Sequence, residues 1–547
     1  MKRILFTLFC LCTLFASADA CTNFIVGKKA TADGSVFISY SADSFGMSGF
    51  LAHFPAASYP AGAMLDVYDW DTGKFLGQIP QARETYNVIG NINEHQVAIA
   101  ETTFGGREEL VDTTGILDYG SLMYIALQRS KTAREAIDVI TSLTNEYGYY
   151  SSGESFSIAD PNEAWILEMI GKGSEKGTVW AAVRIPDDCI SAHANQSRIR
   201  QFDMKDKENV RYSKDVISFA RKKGYFTGKD TEFSFADAYC PADFGALRYC
   251  DARVWSFFNM FANEDMGKYV AWAAGDSKAT PMPLYLKPKA PMTLQDVQRG
   301  MRDHYEGTPF DVTTDLGGGI YNMPYRLSPL SFKHEGKEYF NERPISTFQT
   351  AFTFVAQMRE NLPNPVGGVL WFGTDDANMI VYTPVYCATT IVPECYAAKN
   401  TDPVTFSWKS SFWVFNWVSN MIYPKYSLVV DDLKRVQNEL ETKIYERSKV
   451  VEQEALASMK ASPKYALDIL SQFTCNSAEE ALAEWKKFGE YIIVKYNDLV
   501  VKPEKNGRFE RTETGLGVPV KRPGYPKEYI QQIINQTGDK YLIPVDK

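Results

Sequence analysis

The sequence has no excess of basic residues and few histidines. Its 58 Lys and Arg residues are outnumbered by 67 Asp and Glu residues, which gives a formal net charge of -9. Phosphate binding requires a basic face, so we expect no nucleic-acid partner. The five histidines are scattered and no Cys-x-x-Cys spacing occurs. We therefore expect neither a zinc site nor another cofactor.

The sequence also lacks internal repeats and low-complexity segments. Hydrophobic residues make up 45%, aromatic residues 14% and charged residues 23% of its 547 residues. This composition excludes a disordered chain, a collagen-like chain and a small disulfide-stabilised fold. The length fits two to four domains, or one large catalytic domain with an appendage.

The N-terminus carries an apolar run of 13 residues. Lys2 and Arg3 precede the apolar residues 4–16, and Ala18-Asp19-Ala20 follows them. A basic start, a short apolar run and an A-x-A site predict a secretory signal peptide over residues 1–20, because such a run is too short to span a bilayer. No later stretch is apolar enough for a membrane span, so we expect an exported protein that is periplasmic or secreted.

Cleavage after Ala20 would make Cys21 the first residue, with a thiol and a free α-amine together. The alternative is a lipoprotein in which Cys21 carries lipid and its amine is blocked. Lipoprotein signals favour a Leu-like residue three positions before the cysteine, where this chain has Ala18, followed by the acidic Asp19. These two residues favour the free cysteine.

The remaining cysteines leave two alternatives open. Cys10 and Cys12 belong to the predicted signal peptide, and six cysteines besides Cys21 stay in the mature chain. In an oxidising compartment the first candidates for pairing are those nearest in sequence. These are Cys240 with Cys250 and Cys387 with Cys395. The other alternative is that all six are buried thiols.

Apolar patterning predicts alternating groups of strands and helices. The predicted strands lie at residues 22–26, 35–40, 87–100 (strand, turn, strand), 155–159, 164–169, 179–185, 366–372 and 379–382, with a polar loop at 101–106. The predicted helices lie at 121–128, 132–144, 297–301, 348–360 and 431–459, and from Ser477 to residue 496. This order predicts an α+β layered fold built on antiparallel sheets. We expect three parts, a signal peptide at 1–20, a catalytic domain at 21–400 and a helical extension at 401–547.

An N-terminal cysteine carries its own general base. The reference pKa is about 8.5 for a cysteine thiol and about 7.7–8.0 for an α-amine, so the amine can accept the thiol proton near neutral pH. No histidine is needed. The site still requires an acidic group to hold the amine, donors for an oxyanion, and a cation or amide to fix the geometry.

The residues from Cys21 onward resemble a known family. Cys21 to Ala30 (CTNFIVGKKA), Asp33-Gly34-Ser35 and Asp43-Ser44 are similar to the opening of the secreted dipeptidase A-type cysteine peptidases. These are N-terminal-nucleophile hydrolases, related to penicillin V acylase and bile salt hydrolase. The similarity extends over about residues 21–396, through the segments 93–95, 159–165, 193–196, 253–255, 302–308 and 384–386.

The resemblance implies an αββα sandwich of two antiparallel sheets and amide hydrolysis through a thioester. It makes Cys21 the nucleophile and its amine the base, and Asp43 the acid that hydrogen-bonds this cysteine. Asn195 matches an oxyanion-hole asparagine, and Arg253 is the best match to a downstream active-site arginine. Each of the last three also has a structural interpretation: Asp43 as a loop cap, Asn195 as a partner of buried backbone, and Arg253 as an ion-pair residue.

Further candidates would contact the substrate. The acylase relatives place a second oxyanion asparagine after the strand that contains residues 98–100, where this chain offers Thr102 and Thr103. Arg107 lies in a charge run that is usually solvated, and at a cleft it would bind a substrate terminus. At Tyr40 the chain departs from the family, which commonly has Arg three residues before the acid. Tyr cannot lower the thiol pKa as Arg does, so either another cation substitutes or the thiol is less activated.

The first hypothesis is a secreted cysteine dipeptidase that acts on short peptides. An N-acyl amide acylase of penicillin V or bile-acid type is the alternative with the same fold, and a lipid-anchored, non-catalytic binding protein is the alternative from another class. The sequence leaves open the preferred side chains, the oligomeric state (a homo-oligomer is compatible with it) and the role of the helical extension.

Overall fold

The computed structural model describes residues 21–326, 331–340 and 342–543. The predicted signal peptide lies outside the described residues. The strands are β1 (Asn23–Val26), β2 (Val36–Asp43), β3 (His53–Phe54), β4 (Ala57–Ser58), β5 (Met64–Tyr68), β6 (Phe75–Pro80), β7 (Glu84–Thr85), β8 (Val88–Ile89), β9 (Ile92–Asn93), β10 (Ala98–Phe104), β11 (Gly153–Ala159), β12 (Ala164–Lys172), β13 (Glu175–Ile185), β14 (Ile190–His193), β15 (Val210–Tyr212), β16 (Tyr285–Leu286), β17 (Ser331–His334), β18 (Lys337–Phe340), β19 (Thr350–Met358), β20 (Val369–Thr374), β21 (Thr383–Tyr386), β22 (Glu504–Lys505) and β23 (Arg508–Phe509).

The α-helices follow the same order along the chain. They are α1 (Tyr119–Arg129), α2 (Ala133–Tyr147), α3 (Val216–Lys223), α4 (Phe235–Tyr239), α5 (Ala252–Phe261), α6 (Val270–Ala273), α7 (Leu294–Met301), α8 (Asn364–Gly367), α9 (Ser411–Ile422), α10 (Tyr426–Ser458), α11 (Pro463–Tyr496) and α12 (Lys527–Thr537). No helix in the described ranges combines the length and the apolar character needed to cross a membrane.

Two large antiparallel sheets form the centre of the molecule. The first has seven strands in the order β16-β14-β1-β2-β19-β20-β21, and the second has eight in the order β15-β13-β12-β11-β10-β9-β8-β3. Strand β2 of the first sheet contacts β10 and β11 of the second. The predicted α+β class with antiparallel sheets is confirmed.

Successive residues of the second sheet face two different hydrophobic clusters, because side chains alternate across a strand. Ala98 and Ala100 pack in the cluster that includes the strands of the first sheet. Ile99 and Trp165 pack on the opposite face with Ile137 of α2. Helices α1 and α2 therefore cover the outer face of this sheet, where they contact β10 to β13.

The other helices cover the first sheet. Helix α5 contacts β14, α7 contacts β2 and β19, α9 contacts β20, and α11 contacts β21. The long helices α10 and α11 pack against each other, and Leu433, Ile444 and Trp485 belong to the same cluster as the sheet. The helical C-terminal region thus shares its core with the strands it covers.

The prediction of a helix at residues 348–360 is wrong, because this segment contains β19. The strand lies between β2 and β20, and eight of its nine residues are buried. A central strand that is buried on both faces has a continuous apolar sequence, which periodicity alone does not distinguish from a buried helix. The error matters because β19 is the strand that pairs with Asp43.

Other predicted boundaries are also wrong. The predicted strand at 366–372 starts too early, because Val366 and Gly367 belong to α8 and β20 begins at Val369. The predicted loop at 101–106 begins as strand, since β10 continues to Phe104 with Glu101 opposite Phe156. Residues 379–382 were predicted as a strand, but they precede β21, which starts at Thr383. Ser477 is not an N-cap but a buried residue inside α11, which runs without a break from Pro463. Tertiary packing decides each of these positions over local sequence signals.

All seven cysteines of the described part are free thiols. Of the two alternatives left by the sequence, the structure has the unpaired one, so Cys240 is not bonded to Cys250, nor Cys387 to Cys395. Cys475 is partly exposed, and the other six are buried. Burial raises the pKa of Cys240 to about 12 and of Cys387 to about 12, so these thiols are protonated and unreactive at neutral pH.

Candidate active site

Cys21 lies two residues before the start of β1, where the two sheets meet, and only 7% of its surface is exposed. The neighbouring bridge between Thr22 and Ser41 joins it to β2. The thiol borders a narrow cavity of about 20 Å³, which has room for one or two water molecules. Its other walls come from β2, β10, α1 and the segment around Trp70.

Arg253 joins two other sequence-predicted residues, Cys21 and Asn195. Its Nη1 donates to the carbonyl oxygen of Cys21 and to Oγ1 of Thr22, both at 2.7 Å. Its Nη2 donates to the carbonyl oxygen of Ala194 and to Oδ1 of Asn195, both at 3.1 Å. The guanidinium is fully buried. Arg253 therefore fixes the backbone of Cys21 and the orientation of Asn195, and these contacts do not involve the sulfur.

Asn195 follows the end of β14 in a left-handed backbone conformation, with φ of 62°. Asparagine tolerates this conformation better than most residues. Its Nδ2 donates to the carbonyl oxygen of Thr103 at 2.7 Å, which ties this residue to the end of β10. One N–H of the amide is used in this bond, and an amide nitrogen carries two.

Asp43 ends β2 and forms a fully buried ion pair with Arg343. Its carboxylate also accepts hydrogen bonds from Thr350 Oγ1 at 2.6 Å and from Ser41 Oγ at 3.0 Å. Burial raises the pKa of Asp43, and the charge of Arg343 opposes that rise. The backbone amide of Asp43 donates to the sulfur of Cys21, which lowers the pKa of the thiol.

Arg343 is a cation near the thiol that the sequence reasoning missed. Its pKa is raised even though it is buried, because Asp43 lies against it and Cys21 is among the groups that contribute. Arg343 lies in the segment before β19. Thr350 at the start of β19 pairs with Asp43 of β2, and this pairing brings Arg343 to the site. No local motif marks it, since 300 residues separate it from Asp43.

Glu101 of β10 and Tyr40 of β2 meet beside the sulfur. The Tyr40 hydroxyl donates to Oε1 of Glu101 at 2.5 Å, and the Cys21 thiol lies 3.5 Å from the same oxygen and 3.6 Å from the hydroxyl. The departure from the family at position 40 therefore places a neutral donor beside a carboxylate. Glu101 was also missed, because it stood in a segment that was predicted to be a loop.

The pKa of the Cys21 thiol is raised well above its usual value. Burial is the main cause, and the negative charges of Glu101 and Asp43 add to it. The resting group is therefore a neutral thiol, and any attack by its sulfur requires a base that accepts the proton.

The three predicted substrate-contacting residues do not line the cavity beside Cys21. Oγ1 of Thr102 bonds to Nδ1 of His193 at 2.7 Å, and Oγ1 of Thr103 donates to Oε2 of Glu154 at 2.9 Å. Arg107 donates to the carbonyl oxygen of Ala238 at 2.7 Å, and its guanidinium stacks over the ring of Tyr225 at 3.9 Å. Within the described residues these side chains make structural contacts.

Comparison with known proteins gives one family and several named relatives. Residues 20–49 and 46–439 match the model described as Peptidase family C69. A probable dipeptidase of Salmonella dublin is 28% identical over 391 residues, which are 67% of this chain and 81% of the relative. Dipeptidase A of Lactobacillus helveticus is 27% identical over 418 residues, which are 72% of this chain and 80% of the relative. A probable dipeptidase of Latilactobacillus sakei is 24% identical over 461 residues, which are 80% of this chain and 89% of the relative.

The ion pair between Asp43 and Arg343 generates a stability prediction. Arg343→Met removes the cation and leaves a buried carboxylate without this partner, so we expect the free energy of unfolding at pH 7 to fall by about 3–5 kcal/mol. Urea denaturation followed by tryptophan fluorescence measures it. The control is the double variant that also carries Asp43→Asn. It buries no charge at position 43, so its free energy of unfolding should fall less than that of the single variant. A loss below about 1 kcal/mol in the single variant would contradict the assigned role.

Proposed function

We propose, from the premise that this chain belongs to peptidase family C69, that it is an exported cysteine dipeptidase with the Cys21 thiol as its nucleophile. Family membership makes the chain a peptidase. Relatives named dipeptidase that align over 67–80% of the chain support short peptides as substrates. The observation that carries the proposal is the position of Cys21, which directly follows an A-x-A site in the sequence and borders a cavity between the sheets.

The layered architecture supports an αββα sandwich of the N-terminal-nucleophile type. Helices α1 and α2 lie on one outer face, and α5, α7, α9 and α11 lie on the other. In this proposal the catalytic residue stands at the start of a central strand of the first sheet, where β1 pairs with both β14 and β2. Asn195 follows the end of β14 and Asp43 is the last residue of β2, and this topology gathers them around Cys21.

In the proposed mechanism, removal of residues 1–20 frees the α-amine of Cys21. The amine accepts the thiol proton, directly or through a water in the cavity, as the sulfur attacks the scissile carbonyl carbon. This base is needed because the thiol is neutral at rest. The remaining N–H of Asn195 Nδ2 and backbone amides stabilise the oxyanion. The protonated amine then gives its proton to the leaving amino group, which leaves a thioester on Cys21.

The second half of the reaction releases the acyl group. Water loses a proton to the α-amine and attacks the thioester carbonyl, and the sulfur leaves and takes the proton back as the thiol. Arg253 acts as a positioning residue throughout, because it holds the carbonyl oxygen of Cys21 and Oδ1 of Asn195. Asp43, itself held by Arg343, orients the cysteine through its backbone amide.

Replacement of the sulfur tests the nucleophile. Cys21→Ala in the mature chain should lower kcat for an unblocked dipeptide by roughly 10⁴-fold or more, because no covalent step is left. Cys21→Ser should keep only a small residual activity, since a hydroxyl is harder to deprotonate than a thiol. Release of free amino acids measures both. Cys475→Ser is the matched control, and it should hydrolyse like the wild type; undiminished hydrolysis by Cys21→Ala would exclude the mechanism.

The processed N-terminus tests export and the base together. N-terminal sequencing and intact-mass measurement of the exported protein should give a chain that begins at Cys21 with an unmodified amine. A diacylated Cys21 would support the lipid-anchored alternative, because its nitrogen could no longer accept a proton. A mature chain that begins at another residue would equally exclude an α-amine base at Cys21.

A further inference from the structure

Glu101 is a buried carboxylate that has no ion-pair partner in the described part of the chain. Its Oε1 accepts from Tyr40 and faces the Cys21 thiol, and both of these groups are neutral. Only 1% of the residue is exposed, and that side chain lines the cavity next to the sulfur. A buried anion without a countercharge is costly, so its position at the site requires an explanation.

The neighbouring Glu154 does not supply that countercharge. It is fully buried, and its carboxyl group interacts with that of Glu101, whose own pKa is raised by burial. Burial and the charge of Glu101 raise the pKa of Glu154 well above its usual value, so Glu154 carries the proton. Glu101 is then the anion of the pair. Its Oε1 accepts from Tyr40, its Oε2 has no hydrogen-bond partner among the described residues, and the side chain lines the cavity.

The geometry of a dipeptide places a cation at this point. In an amino acid residue the α-nitrogen lies about 2.5 Å from the carbonyl carbon. An attacking sulfur must come within roughly 3–3.5 Å of that carbon. Since Oε1 of Glu101 is 3.5 Å from the sulfur, these distances allow an ammonium group next to the scissile carbonyl to reach this carboxylate when it lies on the Glu101 side of the sulfur.

We propose that Glu101 binds the α-ammonium group of the first substrate residue and thereby selects peptides with a free N-terminal amine over N-acylated amides. This assignment rests on the proposed function and names the recognition element of its substrate. The cavity walls around Glu101 contain no Lys or Arg among the described residues. The aromatic rings of Trp70, Tyr119 and Tyr124 line it instead, and ring faces also attract an ammonium group.

Recognition of this kind also changes the nucleophile. Glu101 is one of the charges that raise the pKa of the Cys21 thiol. An ammonium group bound to Glu101 compensates that charge, so a correct substrate makes the thiol easier to deprotonate. An N-acylated compound brings no charge, which leaves the thiol in its resting state.

The test compares L-alanyl-L-alanine with propionyl-L-alanine, which differ only in the α-ammonium group. The mature wild-type enzyme should hydrolyse the dipeptide far faster. In Glu101→Gln, kcat/KM for the dipeptide should fall by at least about 100-fold, whereas that for propionyl-L-alanine should change by less than about 3-fold. Glu154→Gln is the matched control, because its amide can donate to Glu101 and leave the charge in place. This variant should keep the preference for the dipeptide.

Two other roles of Glu101 give a different result. If it accepted the thiol proton, or paired with the α-amine of Cys21 itself, Glu101→Gln would slow both substrates equally, and this outcome would overturn the assignment while leaving the dipeptidase proposal intact. A wild-type enzyme that hydrolyses neither substrate, or prefers the propionyl compound, would overturn the proposed function as well.

A measurement on the wild type covers the case in which Glu101→Gln does not fold, as judged by circular dichroism. The α-amine of a dipeptide loses its proton at about pH 8. The ratio of kcat/KM for L-alanyl-L-alanine to that for propionyl-L-alanine should therefore fall as the pH rises from 7 to 9. Ionisations of the enzyme that affect both substrates cancel in this ratio. A ratio that stays constant would overturn the role of Glu101.

Discussion

The arrangement of the site follows from the burial of one thiol between two carboxylates. Cys21 lies within the field of Asp43 and of Glu101, and both raise its pKa. The two carboxylates differ in what balances them, because Asp43 pairs with Arg343, whereas Glu101 accepts from the neutral Tyr40 and has no ion-pair partner among the described residues. A thiol in this environment stays protonated until a base and a compensating charge are present.

The sheets provide the rigidity that such a site requires. Cys21 precedes β1 and Asp43 ends the neighbouring strand β2 of the same sheet, whereas Glu101 belongs to the facing sheet, so the distances among them depend on how the two sheets pack. Arg253 adds a fixed link between Cys21 and Asn195 from helix α5. Side chains held by regular elements keep catalytic geometry better than side chains on loops.

Site residues that lie in a recognisable local motif could be predicted from the sequence. Site residues that reach the cysteine only through the pairing of distant strands could not. Cys21, Asn195 and Arg253 were selected from local similarity, and they lie in one hydrogen-bond network. Arg343 and Glu101 were missed for a common reason. The secondary structure around each of them was predicted wrongly. Arg343 lies just before β19, which was predicted as a helix, and Glu101 lies in β10 at a position that was predicted as a loop. Without the correct strands, the pairings that bring these residues to the site could not be foreseen. The antiparallel sheets and the helical C-terminal region were predictable, because patterning fixes element type better than it fixes boundaries.

The exchange at position 40 connects these observations. In the family that the sequence resembles, an Arg commonly stands there, and it would place positive charge against the sulfur. Here Tyr40 is neutral and Arg343 pairs with Asp43, so no cation of the described part of the chain compensates the negative charge of Glu101 at the cavity. A site with that charge attracts a cationic group and disfavours a neutral acyl chain, since an unpaired buried charge is stabilised only by an opposite one. The charge balance around the thiol thus favours a peptide's free N-terminus as the substrate group that completes the site.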